Sequence, residues 1–85
     1  MRRKGYATDA KLLMMKYAFF ERGLERICDY VLDDNVGSRK LHEKVGYVQE
    51  GVLRKAHFVD GVFHDDIIYG CVKEDFLRMA KEYEL

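Results

Sequence analysis

Apolar residues recur at three- and four-residue steps between Ala7 and Arg22. Tyr6, Ala10, Leu13, Met14 and Tyr17 fall on one side of a helix and predict one buried stripe. Gly23 can take the left-handed conformation that ends a helix, with Leu24 packing back on Phe19. The pattern then changes. Arg26 to Leu32 is short, carries Ile27, Tyr30 and Val31, and is closed by Asp33-Asp34-Asn35, which predicts a strand. A short helix is expected from Val36 to about Val45, capped by Asn35 and stopped by Gly46.

Two strand-like runs follow, Tyr47 to Val59 and Val62 to Val72, around Asp60-Gly61, a dipeptide suited to a two-residue type I′ turn. That turn sets a register. It places Phe58 opposite Phe63, His57 opposite His64 and Lys55 opposite Asp66. A last helix from Glu74 to Tyr83 puts Phe76, Met79, Ala80 and Tyr83 on one face. The order helix, strand, helix, long hairpin, helix predicts an α+β fold with helices packed on a mixed or antiparallel sheet.

Composition narrows the function. Hydrophobic residues make up 48% and charged residues 35%, which points to a folded chain. Fifteen Lys and Arg balance fifteen Asp and Glu, so no basic excess supports general nucleic-acid binding. No apolar run is long enough for a membrane span, so no membrane partner is expected. Cys28 and Cys71 lack metal-ligand spacing and sit in apolar strand segments. Buried thiols in a cytoplasmic protein are the expectation.

The chemistry is concentrated at the start. In Arg2-Arg3-Lys4-Gly5-Tyr6-Ala7, a glycine allows close backbone approach, and a helix begins directly after it. The first free N–H groups of that helix and the positive end of its dipole favour an anion, and three basic side chains add charge.

Arg2-x-x-Gly5-x-Ala7 resembles the Gln/Arg-x-x-Gly-x-Gly/Ala signature of the GNAT N-acetyltransferases. Gly5-Tyr6-Ala7-Thr8-Asp9-Ala10 is especially similar to the branch that acetylates the N-termini of ribosomal proteins. Asp34-Asn35-Val36-Gly37-Ser38 resembles the family's Asn-x-x-Ser, and Glu43-Lys44-Val45-Gly46-Tyr47 its Glu-Lys-x-Gly-Phe. Glu50-Gly51-Val52-Leu53-Arg54, with Asp60-Gly61 and His64-Asp65, is similar to the hairpin of the same branch.

The resemblance implies the C-terminal half of a GNAT fold across residues 1–85, with acetyl-coenzyme A as donor and a protein N-terminus or small amine as acceptor. Backbone amides of Arg2, Arg3, Lys4, Gly5, Tyr6, Ala7 and Thr8 would hold the coenzyme pyrophosphate. Asn35 and Ser38 would face the pantetheine arm, and Asn35 also suits a plain helix cap. Arg39 and Lys40 are candidates for the adenosine phosphate. His42 stands where many members carry a tyrosine that protonates the departing thiolate, and an imidazole suits that role near neutral pH. A surface histidine is its plainer reading. Glu50 and Asp65 are candidate bases for the amine. The family's N-terminal half, which forms the acceptor pocket, has no counterpart in the sequence. The Arg26–Leu32 strand is therefore expected to have an open edge that pairs in a homodimer or larger oligomer. The alternative is an inactive half-domain that binds coenzyme A or only self-associates.

Overall fold

The computed structural model describes residues 6–83. Helix α1 spans Tyr6–Lys16 and passes directly into a π-helical turn at Tyr17–Glu21. Strand β1 (Arg26–Leu32), helix α2 (Val36–Lys44), the hairpin β2 (Val48–Val59) and β3 (Val62–Val72), and helix α3 (Lys73–Tyr83) follow. The sheet order is β1-β3-β2, and both outer strands run antiparallel to β3. β1 and β2 are therefore parallel to each other, joined by a crossover through α2.

The punctuation behaves as its chemistry requires. Gly23 has φ +66, and the Leu24 amide reaches back to the Ala18 carbonyl at 3.0 Å, closing the first helical segment. The Asn35 side chain accepts from the Ser38 amide at 3.1 Å and caps α2. Asp60 and Gly61 both have positive φ, as a type I′ turn demands.

One face of the sheet is covered. Ile67, Tyr69 and Cys71 alternate inward from β3 and meet Val31 of β1. Leu12, Met15 and Phe19 arrive from the first helix and Phe76, Met79 and Ala80 from α3. Phe19 stacks on Phe76 with ring centroids 5.2 Å apart. The opposite face carries Cys28, Tyr30, Val48 and Leu53, all exposed.

Four expectations are corrected. The stripe Tyr6, Ala10, Leu13, Met14 and Tyr17 is exposed, with Tyr6 at 88%. The helix is apolar on more than one side, and the equally regular set Thr8, Leu12, Met15 and Phe19 is the one turned inward. Leu24 remains 42% exposed. Cys28 is exposed because its parity on β1 is opposite to that of Val31. Cys71 is buried as expected, and burial pushes its thiol up to about 12. Lys55 does not face Asp66. Register shifts between Leu53 and His57 put Leu53 opposite Asp66, while the Phe58–Phe63 and His57–His64 pairs hold. Within that bulge Lys55 adopts φ 53, and its amide donates to the Asp65 carboxylate at 2.8 Å.

Candidate functional site

A groove of about 450 Å³ lies where the first turn of α1 meets α2. Ala7 and Thr8 form one wall, and Ser38, Lys40, Leu41 and Lys44 form the other across Gly37. Three of the residues expected to hold a coenzyme, Ala7, Thr8 and Ser38, are thus brought together. Tyr6 stands at the helix start with its ring in solvent. Arg2, Arg3, Lys4 and Gly5 lie outside the described residues. Asn35 is engaged as the α2 cap, its side-chain oxygen taking the Ser38 amide. Two lysines give the groove a positive wall, and Lys44 was not among the expected residues. Arg39 points elsewhere, donating to the Asp33 carbonyl at 3.1 Å and to the Tyr69 hydroxyl at 3.4 Å.

His42 is buried at 6% exposure, so the surface reading of this residue does not hold. Its Nε2 lies 2.9 Å from Asp29 Oδ2, and its Nδ1 lies 2.7 Å from the Ser38 carbonyl oxygen. Lys11 donates to the same Asp29 oxygen at 2.5 Å. Burial works against the Asp29 charge, but the hydrogen bonds from Lys11 and His42 outweigh it and hold the carboxyl below its usual range. Tyr47 closes the cluster, with the Lys11 ammonium 5.1 Å from its ring centroid. Its phenol is pushed far up by burial and by the neighbouring Asp29 charge. Neither Lys11 nor Asp29 was anticipated. A trace was available for Asp29, which shares its strand parity with Ile27 and Val31 on the covered face. Lys11 left no signal.

The candidate bases have other partners. Glu50 sits in a second register shift of β2 and reaches across Gly70 to pair with Arg26 of β1 through both guanidinium nitrogens. That pairing holds its carboxyl below the usual range. A Cβ at Gly70 would meet the Glu50 carboxylate, which would have to move aside. Asp65 is tied to Lys55. His57 and His64 do not bond to each other. His57 contacts Asp66, and His64 contacts Asp33, each at 2.9 Å. Asp33, Asp34 and His64 gather donor atoms within 4.8 Å of one another. His64 and the Asp65 amide already occupy both Asp33 oxygens, and Asp33 raises the His64 imidazole above its ordinary range. Among the described residues no helix is long and apolar enough to cross a membrane.

A lysine-walled groove between two helices packed against an antiparallel sheet is what this α+β domain presents. The comparisons make this specific. Residues 1–48 match the model of the acetyltransferase (GNAT) domain, and the chain belongs to that family. Its architecture is that of the C-terminal half of the GNAT fold. The chain is 36% identical over 75 residues to the SPbeta prophage-derived uncharacterized N-acetyltransferase YokL of Bacillus subtilis, covering 88% of this chain and 42% of that protein. YdaF of the same organism, named for ribosomal N-acetylation, is 33% identical over 73 residues, covering 86% of this chain and 40% of YdaF. A GCN5-related N-acetyltransferase from Brucella melitensis superposes with TM-score 0.80 at 27% identity, over 92% of this chain and 35% of that one. A mutant form of the spermidine N-acetyltransferase SpeG of Vibrio cholerae gives TM-score 0.80 at 26% identity, over 89% and 44%. The chain spans about two fifths of the length of the curated relatives it matches.

Proposed function

We propose that this chain is the coenzyme-binding half of an N-acetyltransferase that moves acetyl from acetyl-coenzyme A to a primary amine. The groove between the α1 opening and α2 carries the reading. It joins Ala7 and Thr8 of the α1 opening, Ser38 and two lysines at one place, a combination suited to a diphosphate and its pantetheine arm. In this reading the amides of residues 2–8 receive the pyrophosphate, and Lys40 and Lys44 screen the phosphate charge. Asn35 holds the α2 turn beside the arm. His42, buried with its two ring nitrogens on Asp29 and the Ser38 carbonyl, is held away from the leaving sulfur, which takes its proton from water. The amine nitrogen bonds to the acetyl carbon, the C–S pair passes to sulfur, and the new ammonium gives its proton to water. The relatives named for ribosomal N-acetylation and for spermidine support an amine acceptor of one of those two kinds.

Calorimetric titration of coenzyme A into the purified chain tests the groove. Binding is expected, and Gly5→Val is expected to abolish it, because a branched side chain fills the space the pyrophosphate needs. Binding that survives the substitution unchanged removes the assignment. Thiol release from acetyl-coenzyme A with a panel of amines then tests transfer.

A second reading has its own support. Tyr6, Leu13 and Tyr17 line the outside of the first helix, and one sheet face is bare. Surfaces of that kind favour a self-associating half-domain. A monomeric mass in sedimentation equilibrium at high concentration would remove it.

A further inference from the structure

We propose that Asp29 is a positioning residue for the groove: its carboxylate keeps the His42 imidazole protonated at both nitrogens and so fixes the Ser38 turn of α2 against the opening of α1. The consequence for coenzyme binding rests on the function proposed for the groove, while the protonation rests on geometry alone.

The argument is one of donors and acceptors. The Ser38 carbonyl oxygen only accepts, and at 2.7 Å it requires a proton on His42 Nδ1. The Asp29 carboxylate also only accepts, and at 2.9 Å it requires a proton on Nε2. A neutral imidazole has one N–H, so one contact would then set lone pair against lone pair. The rings of Tyr47 and Tyr69 pack on the imidazole, with centroids 4.7 and 5.6 Å from that of His42. Ser38 Oγ lies 3.4 Å from Nδ1, too far to replace the carbonyl contact. The charged and titratable groups facing the imidazole are therefore Asp29 from β1, Lys11 from α1 through the shared oxygen, Tyr47 entering β2 and Tyr69 from β3.

The same carboxylate links the two helices. Lys11 stands three residues after Thr8 on α1, and His42 stands four after Ser38 on α2, so each lies one turn from the wall residue of its own helix. Asp29 Oδ2 holds both. Without its charge the imidazole keeps only one proton, and the walls these side chains belong to lose their common anchor.

The test is a nitrogen-resolved NMR spectrum of the histidine side chains of the full chain at neutral pH, with coenzyme A titration alongside. The wild-type chain is expected to show both His42 nitrogens protonated. Asp29→Asn is expected to leave one protonated and to weaken coenzyme A binding roughly tenfold, the loss of one charge-assisted contact. Asp29→Glu restores both signals, and Lys11→Met retains them, which a loosened fold would not do. An unprotonated nitrogen in the wild-type or Lys11→Met spectrum overturns the proposal, as does an Asp29→Asn chain with both protons or with unchanged affinity. A wild-type chain that takes no coenzyme A removes the groove reading and with it the positioning role, while the nitrogen signals still decide the protonation.

Discussion

Asp29 and Glu50 are two carboxylates on opposite faces of one sheet, and each is paired with cations. Asp29 faces the helices. It accepts from Lys11 and His42 among the rings of Tyr47 and Tyr69, and its partners come from separate helices. Glu50 lies on the bare face and grips Arg26 in a two-pronged pair open to solvent. The second pair has the better fork geometry, yet it joins only two strands, while the first ties two helices to the sheet. The carboxylates are equally open, at 37% and 35%, and the cover lies with their partners: Lys11 and His42 are 18% and 8% exposed, Arg26 48%. Water competes for every exposed charge, whereas a covered charge depends on the partners the fold supplies.

The cover itself is the most sensitive point. Phe76→Ala removes the ring that stacks on Phe19 and is expected to cost about 3–5 kcal/mol. Stability of a chain this short is about 4–13 kcal/mol in total, so urea denaturation should show a large loss or an unfolded chain. Next comes the carboxylate with the buried partners. Asp29→Asn is expected to cost about 2 kcal/mol, below the range for a fully buried pair because the Asp29 side chain is 37% exposed. The pH dependence follows from its depressed value. The Asp29 contribution is fully present above its ordinary value of 3.8 and is lost as pH falls through the folded value. Acid titration of stability should lose part of its slope in the variant. Glu50→Gln is expected to shift the midpoint less than Asp29→Asn does, and the difference should vanish in about 1 M salt. A shift that persists in salt would erase the contrast between the faces. Smallest is Phe58→Ser at the hairpin tip. Phe58 and Phe63 touch at 4.9 Å but are 64% and 56% exposed, so a change within about 0.5 kcal/mol is expected by thermal melting.

What was legible in the sequence follows a physical line. Asn35, Gly46 and Asp60-Gly61 act through their own backbone neighbours, and local chemistry suffices to read them. The α2 cap, its stop and the turn register all stood where those residues put them. The buried side of α1 was misread because Leu12, Met15 and Phe19 repeat at the same steps as Leu13, Met14 and Tyr17, and periodicity carries no phase. Which set turns inward depends on Phe76, more than fifty residues later. The groove showed in outline through Ala7, Thr8 and Ser38. The Lys11–Asp29–His42 cluster did not, since three elements must fold together before those groups meet. Lys55 facing Asp66 failed for a different reason: extra residues in β2 leave no trace in a count from the turn.

The π-helical turn at Tyr17–Glu21 has an evolutionary reading. Such a turn is one residue more than an α-helix needs, an insertion absorbed without breaking the rod. A descendant that deleted one residue there would rotate everything downstream by about 100°. Phe19 or the Gly23 corner would then swing off the sheet. Length in this short stretch should be inherited more strictly than the identity of its side chains.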